Sequence, residues 1–217
     1  MIRLDVLPAP QCAMWEEDLP GLPRGFVLYG GTAIALHLGH RRSVDFDFFS
    51  SDPLDRAALR RACPLIAAAK TLQDEPDTLT VVAQKGGEPV KLSFFGGIDF
   101  GRVGEPHRVP NRPPIASRID LLGTKLATVT QRVEARDYVD IAALLGSGLT
   151  INEGVAALLA LYGNQASGLQ SVKTIAWFKD GDLEAILPGA VEGVLARAAA
   201  SYDPRTGPAQ LRSSRLE

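Results

Sequence analysis

The chain has 217 residues, 46% hydrophobic and 22% charged, a balance that fits one large core or two smaller ones and excludes a disordered protein. Its 23 Lys and Arg stand against 25 Asp and Glu, so no global positive field exists to hold a long polyanion, and any nucleic-acid contact has to be local. Cys12 and Cys63 are too few and too far apart in sequence for a disulfide framework or a Cys-based zinc site, and read as reduced thiols.

The opening MIRLDVLPAP carries an acid and two prolines where a signal peptide needs an unbroken apolar run. Nowhere do about 18 uncharged apolar residues follow one another, as a membrane span requires. These tests predict a cytoplasmic protein with no membrane association. Residues 11–19 read as a short helix and PGLPRG as a turn cluster; FVLY (26–29) is then a buried strand. TAIALHL predicts a helix opening directly after Gly31. VDFDFFS predicts a second strand, with Phe46 and Phe48 on one face and Asp45, Asp47 and Phe49 on the other.

PLDRAALRRACPLIAAA is helical in composition, with Pro64 set to kink or end it. TLTVVAQ and PVKLSFFG around KGGE predict a β-hairpin. GEPHRVPNRPP, with four prolines, is the best candidate boundary. Beyond it the pattern is helical. Ile119, Leu122, Leu126 and Val129 form one stripe, RDYVDIAALLG stops near Gly146, and Thr150 with Glu153 makes a capping-box pattern. Helical segments near 169–178 and 183–202 follow, then a polar, loosely held tail. The expected organisation is therefore an α+β fold: a mixed α/β domain over 1–103 with a small sheet containing antiparallel strands, a helical domain over 115–203, and a polar tail over 204–217. Too few strands are present for a doubly wound sheet.

Asp45 and Asp47, at i and i+2 on a strand, leave one face a few ångströms apart. A divalent cation would relieve their repulsion, since Mg²⁺ takes oxygen ligands and can hold the oxygens of a phosphoryl transfer. A strand edge whose aspartates simply face water is the alternative. Gly30 and Gly31 let backbone approach a ligand, the following helix offers its N-terminal amides, and Thr32 adds a hydroxyl. A tight strand-to-helix turn would also use two glycines. It does not account for two acids returning to that same end, with the cationic His40, Arg41 and Arg42 just before them.

The run LYGGTAIALHLGHRRSVDFDFF, Leu28 to Phe49, resembles the nucleotidyltransferases of the AbiEii/AbiGii toxin group within the DNA polymerase β-like superfamily. There a Gly-Gly or Gly-Ser turn precedes an Asp-x-Asp strand by about a dozen residues; here 13 residues, Thr32 to Val44, intervene. The helical half of the group carries a lysine and then a basic residue followed by Asp-h-x-Asp, matched by Lys125 and by Arg136, Asp137, Tyr138 and Asp140. Lys125 and Arg132 are seven residues apart, close to two helical turns, and are expected to point along one face. Solvated helix charges are the alternative for these cations and for Asp137 and Asp140.

The resemblance implies a nucleotidyltransferase sheet and transfer of a nucleoside monophosphate from an NTP to a hydroxyl. It implies Mg²⁺ or Mn²⁺ on Asp45 and Asp47, with Gly30, Gly31, Thr32, Arg42 and Ser43 at the nucleotide. Lys125, Arg132 and Arg136 would meet its phosphates, and Asp137 or Asp140 would orient Lys125, the base or the acceptor. It further implies the toxin of a toxin–antitoxin pair, with RNA, tRNA especially, as acceptor and an antitoxin protein as partner. Two departures stand out. Glu134 occupies a position usually basic in the group, and a third carboxylate usual to the superfamily is missing, because PVKLSFFG offers Lys91 and Ser93 where an acid is expected. A nucleotide-binding module without transfer activity is the second expectation that follows.

Overall fold

In the computed structural model, which describes residues 2–217, the alternating DFDFF segment forms the strand around which the first of two units is built. That unit holds the chain through Phe100, together with Glu105–Ser117 and Ser214–Glu217. Its elements in chain order are α1 (Ala9–Glu17), β1 (Val27–Tyr29), α2 (Gly30–Leu38), β2 (Asp45–Phe49), α3 (Arg56–Ala62), α4 (Pro64–Ala67), β3 (Lys70–Glu75), β4 (Thr78–Lys85) and β5 (Glu88–Phe95). The strands lie in the order β1-β2-β5-β4-β3. Pairing is antiparallel except between β2 and β5, which run parallel.

Period-two alternation gives the sheet one dry face. Phe46 and Phe48 of β2 sit opposite Leu92 and Phe94 of β5, and all four are fully buried. Phe48 stacks on Phe94 at 5.3 Å between ring centroids, and Trp15 of α1 stacks on Phe46. Burying each such ring contributes on the order of 1.5–3 kcal/mol, which is what fixes the strand faces. The other face carries Tyr29, Asp45, Asp47, Phe49, Lys91 and Ser93.

The hairpin between β4 and β5 closes through Gly86 and Gly87, both at positive φ, with Lys85 opposite Glu88. A two-residue turn of this hand matches the twist of the strands and needs residues without a Cβ. Pro64 ends α3 and opens α4 at its first position.

Several expectations are corrected. The strand β3, KTLQDE, was not predicted: all six residues are exposed, so no apolar face imprints a period on the sequence. It is an edge strand, protected by charge and by an irregularity in its pairing between Thr71 and Gln73. The proline-rich stretch packs with the first unit, where Leu28 donates to Pro114 O and Ala116 donates to Leu28 O. The tail is not loosely held, because Leu216 is buried and Arg215 pairs with Asp52 at 2.9 Å.

The second unit, Gly101–Gly104 and Arg118–Ser213, is helical: α5 (Arg118–Thr128), α6 (Ala135–Gly146), α7 (Ile151–Tyr162), α8 (Gly168–Ile175), α9 (Leu183–Ile186) and α10 (Gly189–Ala200). The capping box at Thr150 and Glu153 forms with both of its hydrogen bonds. The helix expected over 183–202 is two, since Pro188 lacks the amide that would continue α9 and instead caps α10. Among the described residues no single helix is long and apolar enough to cross a membrane.

The helices α5 and α7 meet through glycine. A Cβ on Gly154 would lie 2.6 Å from Leu122 Cδ2, 2.7 Å from its Cγ and 3.1 Å from Leu126 Cδ1, and both leucines are fully buried. Gly154→Ala is therefore expected to destabilise the protein by about 1–2 kcal/mol in urea unfolding, overpacking outweighing the better helix propensity of alanine.

Candidate functional site

The polar face of β2 meets a turn that only glycine can make. Antiparallel pairing sets Tyr29, the last residue of β1, opposite Asp47. The next residue, Gly30, opens α2 at φ +72, and a Cβ there would stand 2.5 Å from Asp47 Oδ2. Gly30 is thus required twice, for its backbone conformation and for the carboxylate lying against it. The first amides of α2, from Gly30, Gly31 and Thr32, have no acceptor within the helix, and the helix dipole is positive at this end.

Thr32 and Ser43 turn inward instead of toward a ligand. Their hydroxyls bond each other at 2.7 Å, and Thr32 also donates to the Asp45 carbonyl. Both residues are buried, so these side chains lock the start of α2 to the start of β2 rather than presenting hydroxyls to phosphate. Arg42, by contrast, is exposed.

Parallel pairing of β2 with β5 places Asp45 opposite Lys91 and Asp47 opposite Ser93. Lys91 Nζ stands 3.1 Å from Asp45 Oδ2, with both side chains part exposed. The position where sequence comparison leads one to expect a carboxylate is therefore filled by an amine and a buried hydroxyl. Among the described residues no group of three or more His, Cys, Asp or Glu could hold a metal. The two carboxylates still fit Mg²⁺ or Mn²⁺ as a donor set, because such ions take one or two protein carboxylates and complete their shell with water and substrate phosphates.

The second unit brings four of the predicted residues into one network. Lys125 of α5 contacts Asp137 at 2.6 Å and Asp140 at 2.8 Å, and both aspartates, i and i+3 on α6, are fully buried. The helix α5 ends at Thr128, so Arg132 is not two turns along the same helix, as expected. It lies in the connection to α6, where its guanidinium, half exposed, reaches Asp137 through Nε at 2.9 Å and Nη2 at 3.3 Å. The two cations converge on a shared carboxylate rather than on a helix face. Arg136 is exposed and pairs with Glu134.

Burial acts to raise the pKa of Asp137, but Lys125 and Arg132 together outweigh it and hold the carboxyl below its usual range. The Tyr138 hydroxyl beside it is pushed up to about 12, by burial and then by Asp180 and Asp137, so it stays a neutral donor to Thr174 O. His37 bonds Ala116 O through Nε2 at 2.8 Å, and His107 packs edge-on against it at 6.0 Å, so both histidines fasten the proline-rich stretch to α2.

The sequence profile of the family described as "Nucleotidyl transferase AbiEii toxin, Type IV TA system" matches residues 14–205. An uncharacterized protein of Aquifex aeolicus is 29% identical over 124 residues, 56% of this chain and 58% of that protein, so the match spans little more than half of the relative's length. The fold is similar to that of JHP933 from Helicobacter pylori, with TM-score 0.53, 19% identity, and 84% of this chain and 85% of that one covered. It is also similar to that of MenT4, a nucleotidyltransferase toxin from Mycobacterium tuberculosis, with TM-score 0.51, 14% identity, and 82% and 76% covered.

Two outcomes are expected. Gly30→Ala should cost about 1–3 kcal/mol of stability, because it combines an unfavourable φ with displacement of Asp47. Asp137→Asn should cost about 3–5 kcal/mol, because two buried or half-buried cations lose their shared anion. Folding lowers the Asp137 pKa, so its contribution is complete above the unfolded value and is lost as pH falls through the folded one. The difference in urea stability between wild type and Asp137→Asn should therefore be flat from pH 5 to 8 and shrink below about pH 4.

Proposed function

The chain belongs to the AbiEii nucleotidyltransferase toxin family, and from that membership we propose that it transfers a nucleoside monophosphate from an NTP to a hydroxyl acceptor, as the toxin of a toxin–antitoxin pair. The observation that carries this reading is the approach of Asp47 to the Gly30 turn, with Asp45 beside it on the same strand face. Free helix amides next to a carboxylate pair provide donors for phosphate oxygens at the place where a cation would sit.

Asp45 and Asp47 would hold Mg²⁺ or Mn²⁺. When bound, such an ion supplies charge neutralisation for the triphosphate and polarises its phosphoryl oxygens. The amides of Gly30 and Gly31 would receive phosphate oxygens directly, while Thr32 and Ser43 act by fixing that turn against β2. Arg42 is exposed next to this face and offers a further phosphate contact.

Of the three cations predicted in the second unit, Arg132 and Arg136 are the two with solvent access, and phosphate contact, of nucleotide or of acceptor, is assigned to them. Lys125, enclosed by Asp137 and Asp140, serves as a positioning residue, since both carboxylates through which it could be displaced are themselves buried. RNA, tRNA in particular, is the proposed acceptor, an antitoxin protein the proposed partner and the cytoplasm the proposed site of action.

A second reading, a nucleotide-binding module without transfer activity that acts through a partner, is favoured by one feature. Asp45 faces Lys91 and Asp47 faces Ser93, so β5 sets no carboxylate opposite the pair to take a proton from an incoming hydroxyl.

Incubation with each α-labelled NTP, Mg²⁺ and total RNA separates the two. Label entering RNA with wild type, and falling at least about 10²-fold in Asp45→Asn/Asp47→Asn, is the expected result. Absence of label, with NTP still bound in a Mg²⁺-dependent manner, would replace the transferase by the binding module.

A further inference from the structure

We propose that Lys91 is the resident countercharge of Asp45: it occupies the cation's place in the free protein, weakens divalent-ion binding there, and moves to a phosphate oxygen when metal and nucleotide arrive together. The proposal rests on the reading of this face as a nucleotide site.

Three observations carry it. The register sets Lys91 directly opposite Asp45 on the neighbouring parallel strand, so both side chains leave the same face. The ammonium is 3.1 Å from Asp45 Oδ2, the distance of a direct ion pair, and this is the one ion pair Lys91 makes among the described residues. The lysine side chain is 40% exposed and the aspartate 29%, so the pair is open to solvent.

An ammonium bonded to a carboxylate opposes a metal ion in two ways. It takes a lone pair that the metal would use, and its charge repels a divalent cation at close range, strongly where solvent is thin and less where salt and water screen it. A lysine is suited to leave again. Its charge is a compact point on a flexible four-carbon stem, and a part-exposed pair of this kind contributes only about 0–1 kcal/mol to stability, so little holds it in place. A triphosphate brings several negative charges and can draw the ammonium off Asp45 while the metal that accompanies it takes the vacated oxygen. Contrast Lys125, whose two carboxylate partners are buried and which has no such freedom.

The test is a Mn²⁺ titration of the full-length chain without nucleotide, followed by the EPR signal of free Mn²⁺. Lys91→Met should bind Mn²⁺ about tenfold more tightly than wild type, Lys91→Arg should stay within about twofold of it, and Lys91→Met/Asp45→Asn should lose the gain. With a non-hydrolysable NTP analogue present, Lys91→Met should bind the analogue about tenfold more weakly, having lost a phosphate contact. Lys91→Gln, neutral but polar at its tip, repeats the measurement if the methionine variant melts early. Unchanged or weaker Mn²⁺ binding by folded Lys91→Met or Lys91→Gln overturns the proposal, even if wild type labels RNA. A Mn²⁺ gain in protein that labels no RNA leaves the countercharge standing and sinks the transferase reading alone.

Discussion

The close approach of Asp47 to Gly30 is the contact on which the first unit's polar face depends. It ties three things together: the end of β1, the start of α2 and the carboxylate-bearing face of β2. A side chain at position 30 would meet the carboxylate, and the positive φ there is what lets an extended strand turn at once into a helix. The Thr32 and Ser43 hydroxyls then bind the helix to the strand from the other side, at the Asp45 carbonyl. The helix amides and the carboxylates are therefore held at fixed positions by backbone geometry, not by long side chains whose ordering would carry an entropy cost.

Both units contain a pair of aspartates close in sequence, and the two pairs are handled differently. Asp137 and Asp140 are out of water, where an uncompensated charge is very costly, so they are met by Lys125 and by Arg132 with short, multiple bonds. Such a network is fixed, since moving any member strands a charge. Asp45 is part exposed and meets Lys91 in a single bond. Water can replace that bond at small cost, so the contact is exchangeable. The same residue types thus make a rigid brace in one unit and an open face in the other, and burial decides which.

Much of this was legible in the sequence where a pattern has a physical cause that acts locally. The DFDFF alternation reports a half-buried strand, the Gly-Gly pair reports a turn against a carboxylate-bearing face, and Thr150 with Glu153 reports a helix start. What was illegible depends on partners distant in the chain. A threonine after two glycines reads the same whether its hydroxyl faces a ligand or, as here, a serine eleven residues on. The strand β3 has no buried face to imprint a pattern. The convergence of Lys125 and Arg132 follows from where α5 stops, and the threonines at 128 and 130, bonded back to Thr124 and Ala127 carbonyls, are part of that ending.

The parallel pairing of β2 with β5 is the least local feature and the one with the largest consequence for chemistry. Consecutive strands in a small sheet usually pair antiparallel through short turns, whereas a parallel pair needs a long crossover, here the stretch carrying α3, α4, β3 and β4. Once β5 is inserted beside β2, its register is dictated by the dry face, where Leu92 and Phe94 must sit opposite Phe46 and Phe48. A slip of one residue would turn Lys91 and Ser93 into the apolar core and turn Leu92 and Phe94 out of it, which the core does not permit. The aromatic packing on one side of the sheet therefore selects which residues face Asp45 and Asp47 on the other. An amine and a hydroxyl stand there because the phenylalanines behind them fix which side chains of β5 point toward the carboxylates.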